Sequence, residues 1–94
     1  MGLGLEESLR LTVAALMRAT GDSQRVLAVV LGLTQTQISR RQSGVTSWTL
    51  RDVEVLAGYY QIAVLDLLAG PVRACETLPA ARWRNTNAGK GAGR

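Results

Sequence analysis

Four glycines, Gly21, Gly32, Gly44 and Gly70, cut the chain into pieces of helical length, each closing an amphipathic stretch. Just past a helix the backbone often swings to positive φ, which glycine adopts without a Cβ clash. Residues 6–20 place Leu9, Val13, Leu16, Met17 and Thr20 on one face, behind Glu6 and Glu7 at the end where the macrodipole favours acids. Residues 24–31 carry Leu27, Val30 and Leu31 after the capping pair Asp22-Ser23. Thr34-x-x-Gln37 opens a third helix over 35–43 as a capping box. Thr49-x-x-Asp52 opens a fourth over 50–59, with Trp48 stapled on Val53. A short fifth piece, 64–68, is stopped by Gly70-Pro71. Gly58 alone falls inside or near the end of a segment. No stretch alternates at period two, so the pattern predicts an all-α fold.

Composition narrows the chemistry. At 94 residues there is room for one domain, and with no Phe, two Trp and two Tyr the core must be aliphatic. The absence of His and the single Cys leave no common general base, no disulfide and no cysteine zinc cluster. No enzyme, cofactor, metal or small-molecule ligand is expected, and Cys75 reads as a reduced thiol. The longest apolar run, 26–33, is eight residues against the about 20 that span a bilayer, and the first residues lack a basic leader. A soluble, cytoplasmic protein is the expectation. The net charge of +4 is unevenly spread. Residues 1–70 hold six Arg and six acids, whereas 71–94 hold Arg73, Arg82, Arg84, Lys90 and Arg94 against Glu76. The basic excess therefore belongs to the tail, which suits a polyanionic partner.

The stretch 23–44 meets the steric needs of two short helices crossing at a tight turn. Ala28 supplies the small residue at the close crossing, Gly32 the turn, Leu33 the apolar residue tucked beneath it, and Ile38 the inward anchor of the second helix. On these residues the sequence resembles the lambda-repressor/Cro-like helix-turn-helix family of phage and bacterial regulators. The resemblance extends over about residues 9–70, taking in Thr49 to Ala57 and Ile62 to Leu68 as a fourth and fifth helix. It implies a five-helix, lambda-repressor-like DNA-binding domain over 1–70 and a basic C-terminal tail over 71–94. It also implies a transcriptional regulator that meets a pseudo-palindromic double-stranded operator as a homodimer. The surplus leucines Leu65, Leu67 and Leu68 suit self-association.

At 100° per residue, Gln35, Thr36, Ser39, Arg40 and Ser43 share one outward face of the third helix. Gln, Thr, Ser and Arg are side chains that read base edges, and no acid lies among them. The resemblance makes Gln35, Thr36 and Arg40 base readers, with Ser39 or Gln37 secondary. It places Gln24 against phosphate, bracing the first recognition residue. Ser23, Ser43 and Thr46 lie along the DNA backbone, and Arg25 and Arg41 add charge. Arg41 departs from the family by standing on the inward flank beside Ile38, with its head expected to reach phosphate or Glu6 and Glu7. Asp22 departs by standing where an apolar residue is common.

The tail leaves alternatives open. Residues 72–78 suit strand or helix, and 85–94 look like a tether. Arg82-Trp83-Arg84 suits DNA contact, a Trp83 folded back on the core, or a partner subunit. Tyr59-Tyr60 reads as core and rim, with a dimer contact as the alternative. The competing function is a protein-interaction module, an antitoxin or anti-regulator, in which the polar face docks a protein.

Overall fold

Side chains satisfy the first free amides of three helices. Ser23 accepts from the Val26 amide, and both capping boxes form, Thr34 with Gln37 and Thr49 with Asp52. The computed structural model describes residues 4–84. Among them the chain is all helical: α1 Leu5–Thr20, α2 Gln24–Leu31, α3 Gln35–Ser43, α4 Leu50–Tyr60, α5 Val64–Leu68, α6 Pro71–Thr77 and a 3₁₀ turn at Ala80–Arg82. No strand occurs among these residues. The glycines close α1, α2 and α3 in the left-handed region. Helix α4 closes the same way on Gln61 at φ 62°, a conformation costing a non-glycine residue roughly 1–2 kcal/mol. Sequence patterning offered no glycine for that stop. Gly58 lies within α4, so its spacing gave no boundary.

One aliphatic core joins all six helices. Val13 and Leu16 of α1, Leu27 and Leu31 of α2, Ile38 of α3, Leu56 and Tyr60 of α4, Leu67 of α5 and Ala74 of α6 are buried together. Ala28 is also buried, and its carbonyl accepts the Leu33 amide at 2.9 Å, which pins the turn between α2 and α3. Ile38 is the only buried residue of α3, so that helix leans on the core through one side chain. Its other positions are left for other work. No helix among the described residues is long and apolar enough to cross a membrane.

The folded unit runs past residue 70. Residues 72–78, open between strand and helix, lie in α6, which starts on Pro71 at a position that needs no amide. Helix α6 runs beside α1 in the same direction: Gly70 lies next to Ser8, and after α6 the Arg84 amide donates to Ala19. Ala74 and Leu78 seal it to the core. Gly70 thus stands at a turn between two packed helices, α5 and α6. The expected tether, 85–94, lies outside the described residues. Of the three leucines read as surplus, Leu67 is core, Leu68 is half-buried, and only Leu65 is fully on the surface.

Tyr60 is completely buried at the end of α4, edge-on to Tyr59. Burial raises its hydroxyl well above the ordinary value, and the Asp22 carboxylate adds to the rise. A group whose folded pKa is raised holds its proton more tightly in the folded state. Its contribution is therefore whole below the unfolded value of about 10 and falls as pH rises beyond it. Thermal melting followed from pH 8 to 12 should show Tm dropping above about pH 10, with Tyr60→Phe flattening that drop. An equally steep drop in the variant would remove Tyr60 from the account.

Candidate nucleic-acid interface

Because Ile38 is the one fully buried residue of α3, most of the helix faces outward or sideways. Gln35, Thr36, Ser39, Arg40 and Ser43 are all exposed, so the polar face read from helical spacing is on the surface. Gln37 is exposed as well, but its carbonyl oxygen accepts the Thr34 amide at 2.8 Å and completes the cap. It has only its amide group left to offer. The Ser43 hydroxyl donates to the Arg40 carbonyl at 3.1 Å. The loop beyond α3 turns on Gly44, and the Thr46 amide returns to the same carbonyl, leaving the Thr46 side chain exposed. Arg25 is exposed on α2, and the Ser23 hydroxyl is engaged in its cap.

Arg41 is corrected. Its Nε donates to Asp52 Oδ2 at 2.7 Å, with the two side chains 12% and 3% exposed. The head is therefore turned to Asp52 rather than to Glu6 and Glu7, with a small part of it still at the surface. The same Asp52 oxygen accepts the Thr49 amide at 3.0 Å, so one atom closes the cap of α4 and ties it to α3. Spacing put Arg41 and Asp52 each in its own helix, and only the packing brings them together. The pair is spent internally, which leaves Arg40 as the cation on the outward face of α3.

Gln24 is also corrected in its partner. It was expected to brace Gln35, yet its Nε2 donates to Gln42 Oε1 at 2.7 Å, at the far end of α3. Gln42 in turn donates to the Met17 sulfur at 3.1 Å, so a chain of contacts links α1, α3 and the start of α2. Gln42 is seven residues past Gln35 and lies within about 20° of it around the helix, so this chain runs along one edge of the polar face. Asp22 has its own reason to be polar: its carboxylate accepts the Tyr59 hydroxyl at 2.9 Å.

Three arginines outside α3 sit at helix C-termini, where carbonyls and the macrodipole favour cations. The Arg10 guanidinium packs 3.1–3.3 Å from where a Cβ on Gly44 would stand, at the end of α3. Arg51 donates to the Leu31 carbonyl at the end of α2, and the Arg84 side chain lies over Gly21 at the end of α1. Sequence reading missed Arg10. Its place on the flank of the buried stripe of α1 was legible, but not which helix end lies across from it.

The tail residues part company. The Arg82 guanidinium stacks on Tyr59 at 4.4 Å, and two of its nitrogens are buried without a hydrogen-bond partner among the described residues. The Trp83 ring nitrogen donates to Leu78. Of the open alternatives, Trp83 takes the one in which it turns back on its own domain, with its side chain still 44% exposed, and Arg82 lies with Tyr59. Arg84 is exposed. The Cys75 thiol is half-buried, and desolvation raises its pKa against the opposing charge of Arg18, so it stays protonated near neutrality. No group of His, Cys, Asp and Glu among the described residues is placed to hold a metal ion. No protein-family model, curated protein or solved structure matches the chain.

The two neighbouring arginines of α3 should separate cleanly on substitution. Arg41→Ala strands a buried carboxylate and should cost about 3 kcal/mol, the low end for a broken buried pair because Thr49 still donates to Asp52. Arg40→Ala should stay within about 0.5 kcal/mol of wild type. Urea unfolding at constant slope measures both, and equal losses would show that the Arg41 contact carries no weight.

Proposed function

We propose that the chain is a sequence-specific double-stranded DNA-binding transcriptional regulator of the lambda-repressor/Cro-like, helix-turn-helix kind, with α3 lying in the major groove. The observation that carries this reading is the outward face of α3: Gln35, Thr36, Ser39 and Arg40, all exposed and with no acid among them. A major groove about 12 Å wide admits one helix, and these side chains match base edges. Gln35 pairs with adenine, Arg40 with guanine through N7 and O6, and the Thr36 methyl meets a thymine methyl. Ser39 and the Gln37 amide group are secondary readers. Ser23, Gln24, Ser43 and Thr46 line the two edges of that face, where phosphates pass and fix register. Arg25 adds charge beside them.

A homodimer belongs to the proposal, since two recognition helices then meet half-sites one helical turn apart. Leu65 and Val72, 79% and 71% exposed on the adjoining helices α5 and α6, supply apolar surface for it. A second reading, docking of a protein partner, is favoured by other exposed aliphatics. Val29, Val45 and Leu50 are 76–82% exposed on α2, the loop after α3 and the start of α4.

Selection of bound duplexes from a random DNA pool, with wild type and Arg40→Ala side by side, separates the two. The DNA reading expects a symmetric site, with a guanine preference relaxed in the variant by about 1–3 kcal/mol at one position. Enrichment of no sequence by either protein would sink it in favour of the protein partner.

A further inference from the structure

Beside the polar face of α3 lies a cleft of about 380 Å³, lined by Ala14, Met17, Arg18, Gly21, Asp22, Gln42 and Arg84. It brings together two arginines that are distant in sequence, one on α1 and one beyond α6. Arg84 is held in place at its base, because its amide donates to Ala19 at 2.6 Å. Its Cγ, Cδ and Nε each lie 3.6 Å from where a Cβ on Gly21 would stand, so the stem runs along the turn between α1 and α2. Both arginines are exposed, and neither is within ion-pair distance of a carboxylate among the described residues. Asp22, the one acid in the lining, has its Oδ2 on the Tyr59 hydroxyl. The ten residues beyond Arg84 contain no acidic side chain to neutralise the pair.

Position decides what such a cleft is for. Gln42 forms part of its wall and also the edge of the α3 face, where it holds Gln24. A rod-shaped polyanion lying against Gln35 and Ser39 therefore runs beside the residue that walls the cleft. We propose that Arg18 and Arg84 bind a phosphate group there, a backbone phosphodiester of the same DNA, so that the segment after α6 extends the footprint on the α1 side. This rests on the DNA reading of α3. It assigns Arg84, rather than Arg82 or Trp83, as the DNA contact of the tail.

Counterion release makes the idea measurable. Each phosphate neutralised contributes about 0.9 to the slope of log affinity against log salt. Wild type, Arg18→Gln/Arg84→Gln and the control Arg73→Gln are titrated against the selected duplex and an unrelated one at several salt concentrations. Circular dichroism and Tm confirm that each variant is folded. The double variant should lose roughly one unit of slope on both duplexes and keep its sequence preference, while Arg73→Gln keeps the wild-type slope. Unchanged slope in the double variant, with wild type still selecting its site, would overturn the cleft and leave the α3 reading standing. Binding of no duplex by wild type would overturn both. In that event, inorganic phosphate shifting the Gly21, Asp22 and Gln42 amide resonances would mark a site for small anions instead.

Discussion

The buried pair between Arg41 and Asp52 decides how α3 is presented. Helix α3 has one core anchor, Ile38, and on one flank of it Gln42 meets Gln24 and Met17. Arg41 holds the other flank, and it does so through an oxygen that already closes the cap of α4. Roll, tilt and the start of α4 are thereby fixed together. A buried ion pair stabilises little in total, because desolvation offsets much of the attraction. Its effect here is orientation: it turns Gln35, Thr36, Ser39 and Arg40 outward as one surface, whatever that surface meets.

Charge is distributed to the same end. Arg41 is neutralised internally, and Arg10 and Arg51 lie at the ends of α3 and α2, where they offset carbonyls and the macrodipole. Arg73 is paired with Asp66 on the far helices. Without a carboxylate within ion-pair distance among the described residues stand Arg40 on α3, Arg25 on α2, and Arg18 with Arg84 at the end of α1. A chain whose first seventy residues carry no net charge thus still leaves arginines with no carboxylate beside them. The net charge does not reveal this, because cancellation over the sequence is not cancellation in space.

The helices were legible because their signals are local. Capping boxes at Thr34 and Thr49, glycines after α1, α2 and α3, and a periodic apolar stripe each depend on a few adjacent residues. The outward face of α3 was legible for the same reason, since helical geometry alone sorts its nine residues. What was lost required knowledge of the packing. Arg41 meets Asp52 eleven residues away, Gln24 meets Gln42 eighteen away, and Arg84 meets Ala19 across most of the chain. Residues 71–84 read as tail because Pro71 and a rise in charge resemble a domain end, whereas Ala74 and Leu78 are too few apolar residues to announce a helix. Gln61 gave no sign of a stop, as a left-handed residue without glycine has no composition signal.

The proposed role depends on α3 turning its outward face to DNA. Titrating isotope-labelled protein with a selected duplex and following amide resonances tests it residue by residue. The largest shifts are expected over Gln35–Ser43, at Ser23 and Gln24 and in the loop to Thr46, with Leu65 and Val72 not responding to the DNA. Shifts confined to α5 and α6, or none at saturating duplex, would mean that α3 presents its polar face to something else.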